Sequence, residues 1–289
     1  MKHAYLILAH SSKVLLKKLI EALDDVRNDI YVHLDRKAKF DVSDISTMFS
    51  GLYFLPERID ARWGDYSLVE VELKLLQSAH ENNSYAYYHI ISGVDYPLKC
   101  QDYIHNFCNK HTGKQFIGFA EHTPEEEIKW RSQHYFLFSR NFKSNNGAKK
   151  ILRALIARTQ TLIGYKRFNK EVKKGCQWCS ITDDFVVYLL GNRDIIKKYF
   201  NHTYCPDEMF IQTMCWNSRF KKSIFTIKDE FEGCKRYIIW ENGVIHNLDD
   251  IDPIALVTSN KWFGRKFSDS SIDKLSEIRR LSLIIDTSV

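Results

Sequence analysis

The segment from Ala4 to Leu34 constrains this chain more than any other. Ala4–Ala9 (Ala-Tyr-Leu-Ile-Leu-Ala) is an unbroken apolar run of strand length. Val14–Leu23 carries apolar residues at helical spacing, with Lys17 and Lys18 on the other face, and Asp29–Leu34 reads as a second strand. A strand, a helix and a strand in so short a compass form a βαβ unit, whose crossover joins parallel strands. Strands that are apolar on both faces must be covered on both. The expected class is therefore α/β, with a mostly parallel central sheet flanked by helices.

The rest of the chain extends this pattern. Leu52–Leu55 and Tyr85–Ser92 read as strands, Leu68–Ala79 as an amphipathic helix, and Gly93–Pro97 as a turn. Glu121–Trp130, with Glu125, Glu126 and Glu127 in a row, reads as an acidic loop. Lys143–Lys150 has a flexible-loop composition, and Ala148–Lys174 is basic with a mostly helical pattern. Helices are expected at Asp183–Gly191, at Arg193–Phe200, from Pro206 onward and at Ile272–Leu283, with a late strand at Tyr237–Trp240. No internal repeat and no Pro/Gly linker divides the chain, so one domain over 1–289 is expected.

Open parallel sheets bind ligands beyond the carboxyl ends of their strands. His10, Asp35 and Asp95 each follow a strand and can face one crevice. No Gly-x-Gly-x-x-Gly follows the first strand and no Gly-x-x-x-x-Gly-Lys-Ser/Thr occurs, which argues against dinucleotide oxidoreductases and P-loop enzymes. Where a metal-holding Asp-x-Asp would follow a central strand, Gly93-Val94-Asp95 offers one acid. Asp250-Ile251-Asp252 precedes Pro253 and reads as a surface turn. Without a metal, fixed cations must neutralise any departing diphosphate. Arg265-Lys266, wedged among Trp262, Phe263 and Phe267, and Lys235-Arg236 are the candidates. Pro206-Asp207-Glu208 reads as a helix start, and its acids suit either that dipole or the role of a general base.

A net charge of +6 suits an anionic ligand, an acidic membrane surface or nucleic acid. The basic run 143–173 lacks any nucleic-acid-binding motif, so no nucleic acid is expected; peripheral contact with an anionic membrane fits it better. Seven cysteines without a leader pattern read as reduced, buried thiols, and Cys176-x-x-Cys179 has no second ligand pair. A cytoplasmic protein, peripheral to the inner face of the plasma membrane, is expected.

Several ordered motifs resemble the core-2/I-branching β-1,6-N-acetylglucosaminyltransferase family (glycosyltransferase family 14), which includes the peptide O-xylosyltransferases. They are His3–His10, Tyr31–Lys37, Trp63–Glu70, Tyr88–Lys99, Gly175–Cys179, Cys205–Phe210 and Phe263–Phe267. The resemblance implies a GT-A-like nucleotide-sugar transferase fold, with a nucleotide-binding half at 1–100, an acceptor-binding and catalytic half at 101–289, and an irregular insertion at about 120–174. It implies inverting transfer without metal or other cofactor, from a UDP-sugar donor to a hydroxyl of a glycan or lipid-linked oligosaccharide acceptor. UDP-N-acetylglucosamine is the first donor expected, followed by UDP-xylose, UDP-glucose and UDP-galactose. Glu208 falls on the family's base and is expected to be partly buried beside Trp178 or another aromatic. His10 and Asp35, with Asp95, fall at the nucleotide; Arg236 and Lys266, with Arg265, fall at the diphosphate. Glu121, Trp178 and Asp207 fall on the acceptor side. A non-catalytic glycan- or anion-binding protein on the same fold is the alternative.

Overall fold

The computed structural model describes residues 1–120, 122–137, 140, 147–241 and 243–286. Its centre is β1 (His3–Ala9), every residue of which is buried. Then come α1 (Lys13–Leu23), β2 (Asn28–Leu34), β3 (Gly51–Phe54), α2 (Ser67–Asn82) and β4 (Tyr87–Ser92). The main sheet has the order β3-β2-β1-β4 and ends on β6 (Ser180–Thr182). The first four strands are parallel; β6 pairs antiparallel with β4.

Side chains alternate across β1, and the alternation assigns each helix its face. Ala4, Leu6 and Leu8 pack with Val69, Leu73 and Leu76 of α2 on one side. Tyr5, Ile7 and Ala9 pack with Leu16, Leu19 and Ile20 of α1 on the other. Ser12 starts α1 by accepting the Leu15 N–H at 3.0 Å. The chain winds from β1 outward to β2 and β3, then returns to the far side of β1 as β4. The C-terminal ends of β1 and β4 therefore flank a topological switch point.

A second, three-stranded sheet lies beyond that point. It joins β5 (Tyr96–Pro97), β7 (Arg236–Ile238) and β10 (Phe263–Arg265), in the order β5-β10-β7. Between β5 and β10 the chain forms α3 (Gln101–Lys110), α4 (Glu125–Gln133), α5 (Gly147–Leu162), α6 (Asp183–Gly191), α7 (Arg193–Phe200), α8 (Phe210–Trp216), α9 (Glu230–Cys234), the pair β8 (Trp240–Glu241) and β9 (Val244–Ile245), and α10 (Pro253–Thr258). The last described element is α11 (Ile272–Asp286), which packs on α10 and α1.

Two expectations are corrected. The acidic stretch expected as a loop is the start of α4, whose first turn holds Glu125, Glu126 and Glu127; acids there suit the positive helix end. The expected helix at Pro206 is a single 3-10 turn, Pro206–Glu208, set off by Cys205 at φ +48° and by Met209, after which α8 begins. Asp207 and Glu208 therefore precede the α-helix instead of occupying its first turn. Asp252, read from the sequence as part of a surface turn, accepts the Ile254 N–H at 2.9 Å and caps α10.

Candidate active site

A cleft of about 850 Å3 opens at the switch point. Its floor is the end of β1 with His10, Ser11 and Ser12; its walls are Asp35 and Lys37 after β2, Ser92 and Val94 after β4, Trp63, Gln177, Trp178, and the segment Arg265–Asp269.

Asp35 is buried and fixed. Its Oδ1 accepts the Lys37 N–H at 2.8 Å, and its Oδ2 accepts the Ala61 N–H at 3.0 Å and lies 3.3 Å from the Lys37 ammonium. His33 accepts the Ile59 N–H at its Nε2 (2.9 Å), which leaves the ring proton on Nδ1. Burial lowers its pKa to about 4, so the ring is neutral. His10 is also held below its ordinary value, first by burial and then by Arg265, Lys37 and Lys266, against the opposing pull of Asp35. Two neutral imidazoles and one carboxylate thus line the β1–β2 side of the cleft, where hydroxyls and N–H groups can be bound.

The opposite side is cationic. The second sheet delivers β10 to the cleft, and β10 runs directly into Arg265 and Lys266. Arg265 donates from Nη1 to Asp95 Oδ1 at 2.7 Å, and its guanidinium lies 4.4 Å from the Trp178 ring centroid. Asp95 is itself held by the Ser92 N–H at 2.8 Å. Asp95 lies beneath the cleft surface, where it orients Arg265. The Lys266 ammonium makes no hydrogen bond or ion pair with the described residues and is free for a ligand. Arg236 points elsewhere. It is fully buried, bound to the carbonyls of Cys234, Ile90 and Cys179 and to the Ser180 hydroxyl, over the face of Phe263. It is not among the cleft residues, and it braces β7 against β4 and β6.

Trp178 enters the cleft because two loops cross at their glycines. A Cβ on Gly175 would lie 1.9 Å from the Gly118 carbonyl oxygen, so only glycine allows this approach. The Gly175 N–H also donates to the Glu208 carbonyl at 2.9 Å, which ties the Gly175–Trp178 strap to the acidic turn. The turn has a second tie: the Cys205 N–H donates to the carbonyl of Gly64 (φ +79°), and Trp63 meets Tyr204 edge-on at 5.6 Å.

The acids of that turn differ in environment. Asp207 is buried, its Oδ1 has no hydrogen-bond partner among the described residues, and burial followed by the charge of Glu208 pushes its carboxyl up to about 8. Glu72 of α2 is likewise buried and pushed up by burial; it accepts from Gln177 Nε2 at 2.7 Å. In both, burial favours the protonated form. Glu208 reaches the surface, with its side chain 26% exposed. Its Oε2 pairs with Arg131 of α4 at 2.8 Å, and Arg131 lies over Tyr204 and also pairs with Glu127. Glu208 sits outside the residues that line the main cleft, beside the straps that build it. Its aromatic neighbour, through Arg131, is Tyr204, whereas Trp178 stacks on Arg265. Glu121 lies outside the described residues. Sequence reasoning did not single out Lys37, Arg131 or Gln177 as site residues. Lys37 stood in a quoted motif; Arg131 lies in the stretch that carried no motif.

The family described as core-2/I-branching enzyme matches residues 3–256. Xylosyltransferase 2 of Canis lupus familiaris is 22% identical over 298 aligned residues, covering 95% of this chain and 33% of that protein. Xylosyltransferase 2 of Bos taurus is 22% identical over 222 residues, covering 73% of this chain and 24% of that protein. The chain thus spans a third or less of the curated relatives it matches. A crystal structure of S. aureus TarS aligns with 49% of this chain and 26% of that one at 12% identity, with a TM-score of 0.30.

Proposed function

The chain belongs to the core-2/I-branching enzyme family, and from that premise we propose that it transfers a sugar from a UDP-sugar to a hydroxyl of a glycan acceptor, with inversion and without a metal. The observation that carries this reading is the two-sided cleft: a fixed carboxylate, Asp35, on one side and a free ammonium, Lys266, beside the braced Arg265 on the other. That polarity suits a nucleoside diphosphate. Asp35 and the neutral imidazoles of His10 and His33 take the nucleoside, and Arg265 and Lys266 take the phosphates. Preorganised cations stabilise the charge that grows on a departing diphosphate.

Glu208 is the base in this reading. Inverting transfer needs one group to remove the acceptor proton as that oxygen attacks the anomeric carbon in line. Asp207 is buried and already holds a proton at neutral pH, so it cannot meet an incoming hydroxyl. Glu208 is reachable, and its Oε1 makes no hydrogen bond with the described residues while Arg131 steadies Oε2. N-acetylglucosamine is the first donor sugar to test. Xylose is the second, because the curated relatives are named xylosyltransferases.

The test is turnover of a UDP-sugar panel in EDTA, wild type against Glu208→Gln. Wild type is expected to turn over in EDTA, and Glu208→Gln to fall by about 10² or more. Full activity in the variant removes Glu208 as the base. Loss of wild-type turnover in EDTA rejects metal-free transfer. UDP binding without turnover of any donor leaves a nucleotide-binding protein.

A further inference from the structure

The helix α5 packs on the protein with the side that carries Gln160, Arg153 and Ile156 and shows a strip of aliphatic side chains to solvent. At 100° per residue, Ile151, Leu152, Leu155 and Leu162 fall within one arc of about 100°. These side chains are 64, 43, 53 and 86% exposed. Ile163 and Tyr165, just past the helix end, are exposed as well. The opposite side holds the buried Gln160, which accepts the Tyr135 N–H at 2.7 Å and donates to the Tyr135 carbonyl at 3.2 Å. A helix that packs in a folded body normally does the reverse. A contiguous apolar face of this kind marks an interaction surface.

The charge around it names the partner. From Ile128 to Lys170 the sequence contains no Asp or Glu and many Lys and Arg. Arg158 borders the apolar arc, and Lys166 and Lys170 follow it; all three are exposed. A second copy of the chain would set this cationic surface against itself. A nucleic acid would meet its charge and leave four aliphatic side chains in water. An anionic bilayer satisfies both, with aliphatic residues in the acyl boundary and cations at the phosphates. Among the described residues no helix is long and apolar enough to cross a membrane, so the contact is one of lying on the surface.

We propose that α5 is an interfacial helix that seats this protein on anionic lipid through Ile151, Leu152, Leu155 and Leu162, with Arg158 and Lys166 at the headgroups. The docking stands apart from the transferase reading, since it needs no turnover. It does bear on that reading. Gln133, the last residue of α4, accepts the N–H groups of Arg167 and Phe168 at 2.8 and 3.0 Å. The segment after α5 is thus clamped to the helix that supplies Arg131 to Glu208. A protein held this way suits an acceptor carried on lipid.

Vesicle flotation tests it, with phosphatidylcholine alone and mixed with phosphatidylglycerol. The wild type is expected to float with the mixed vesicles and to be released by high salt. The double variant Ile151→Asp/Leu155→Asp and, separately, Arg158→Glu/Lys166→Glu are expected to bind at least about tenfold more weakly. The substituted side chains are exposed, so an unchanged melting temperature is the folding control, with the milder Leu155→Ser as a second apolar-face variant. Absence of wild-type binding to the mixed vesicles overturns the proposal, as does binding by the variants equal to the wild type. A dimer that Ile151→Asp/Leu155→Asp dissolves, with no vesicle binding, assigns the face to self-association instead.

Discussion

At the scale of single residues, the cleft separates groups that the sequence could only set side by side. Arg265 and Lys266 are neighbours in sequence, yet one is braced by Asp95 and Trp178 while the other is unoccupied by the described residues. The free cation has the most to gain from a diphosphate. A charge-assisted hydrogen bond contributes about 1.5–3 kcal/mol, so Lys266→Ala is expected to weaken UDP binding at least about tenfold. Calorimetric titration with UDP in EDTA measures this, and an unchanged affinity removes Lys266 from the phosphate site. Asp95 and Arg236 show what sequence could not reveal. Asp95 follows a strand at the ligand end of the sheet and Arg236 stands in a basic pair at the start of one, and only burial tells that Asp95 serves Arg265 and Arg236 serves the backbone. The same holds for Asp207 and Glu208: the residue types are alike, and only depth distinguishes them.

At the scale of elements, the β1–α1–β2 unit was legible to within a residue and the helices with a clear apolar stripe to within three, because periodicity is a strong signal where a whole face is buried. Two kinds of element were not. α4 has hardly any apolar face, so its acids read as loop. The 3-10 turn at Pro206–Glu208 carries the same proline and acids as a helix start, and what breaks it is the backbone at Cys205 and Met209. The crossing of Gly118 and Gly175 was equally silent in sequence, yet it sets both Trp178 and Glu208. Gly175→Ala drives a Cβ into a backbone oxygen that cannot yield and is expected to cost about 3 kcal/mol, with loss of turnover. Gly191 closes α6 with open space around it. Gly191→Ala is expected to be neutral or to stabilise by up to about 1 kcal/mol, through helix propensity. Thermal melts of the two variants decide the point; equal melting temperatures would show that the crossing is not tight.

At the scale of the whole molecule, the fold class and the end of the sheet that binds ligand follow from strand order, which the βαβ pattern announced. The buried ionisable groups did not, because a histidine in a strand looks the same whether or not water reaches it. His3, His89 and His105 lie together under the sheet. His89 bridges the Ser180 hydroxyl (2.7 Å) and His3 (3.0 Å), and His3 stacks on His105 at 3.9 Å. Burial lowers the pKa of His3 to about 2 and of His105 to about 4, and holds His89 well below its ordinary value; Arg236, fixed beside Ser180, adds to the cost of charging His89. The unfolded chain takes up protons on these rings below about pH 6.5, while the folded chain refuses them. Stability is therefore whole above pH 6.5 and falls as the pH drops below it, by about 1.4 kcal/mol per pH unit for each ring. Asp207 and Glu72 act in the other direction. Their folded pKa values are raised, so between about pH 4 and the folded value the native state keeps protons that the unfolded chain has lost. Their contribution declines as the pH rises through neutrality, until Asp207 ionises at about 8. Below pH 6.5 the buried rings, with His33 as a fourth, outweigh the two acids, and the acids act alone above it. The melting temperature is therefore expected to peak near pH 6.5 and to decline on both sides. Glu72→Gln replaces a protonated acid with a neutral amide and should flatten the alkaline limb and steepen the acid limb, because Glu72 opposes the rings on that side as well. A melting temperature that stays level from pH 5 to 8, or an alkaline limb unchanged in Glu72→Gln, would mean that these groups titrate in the folded chain as they do in water.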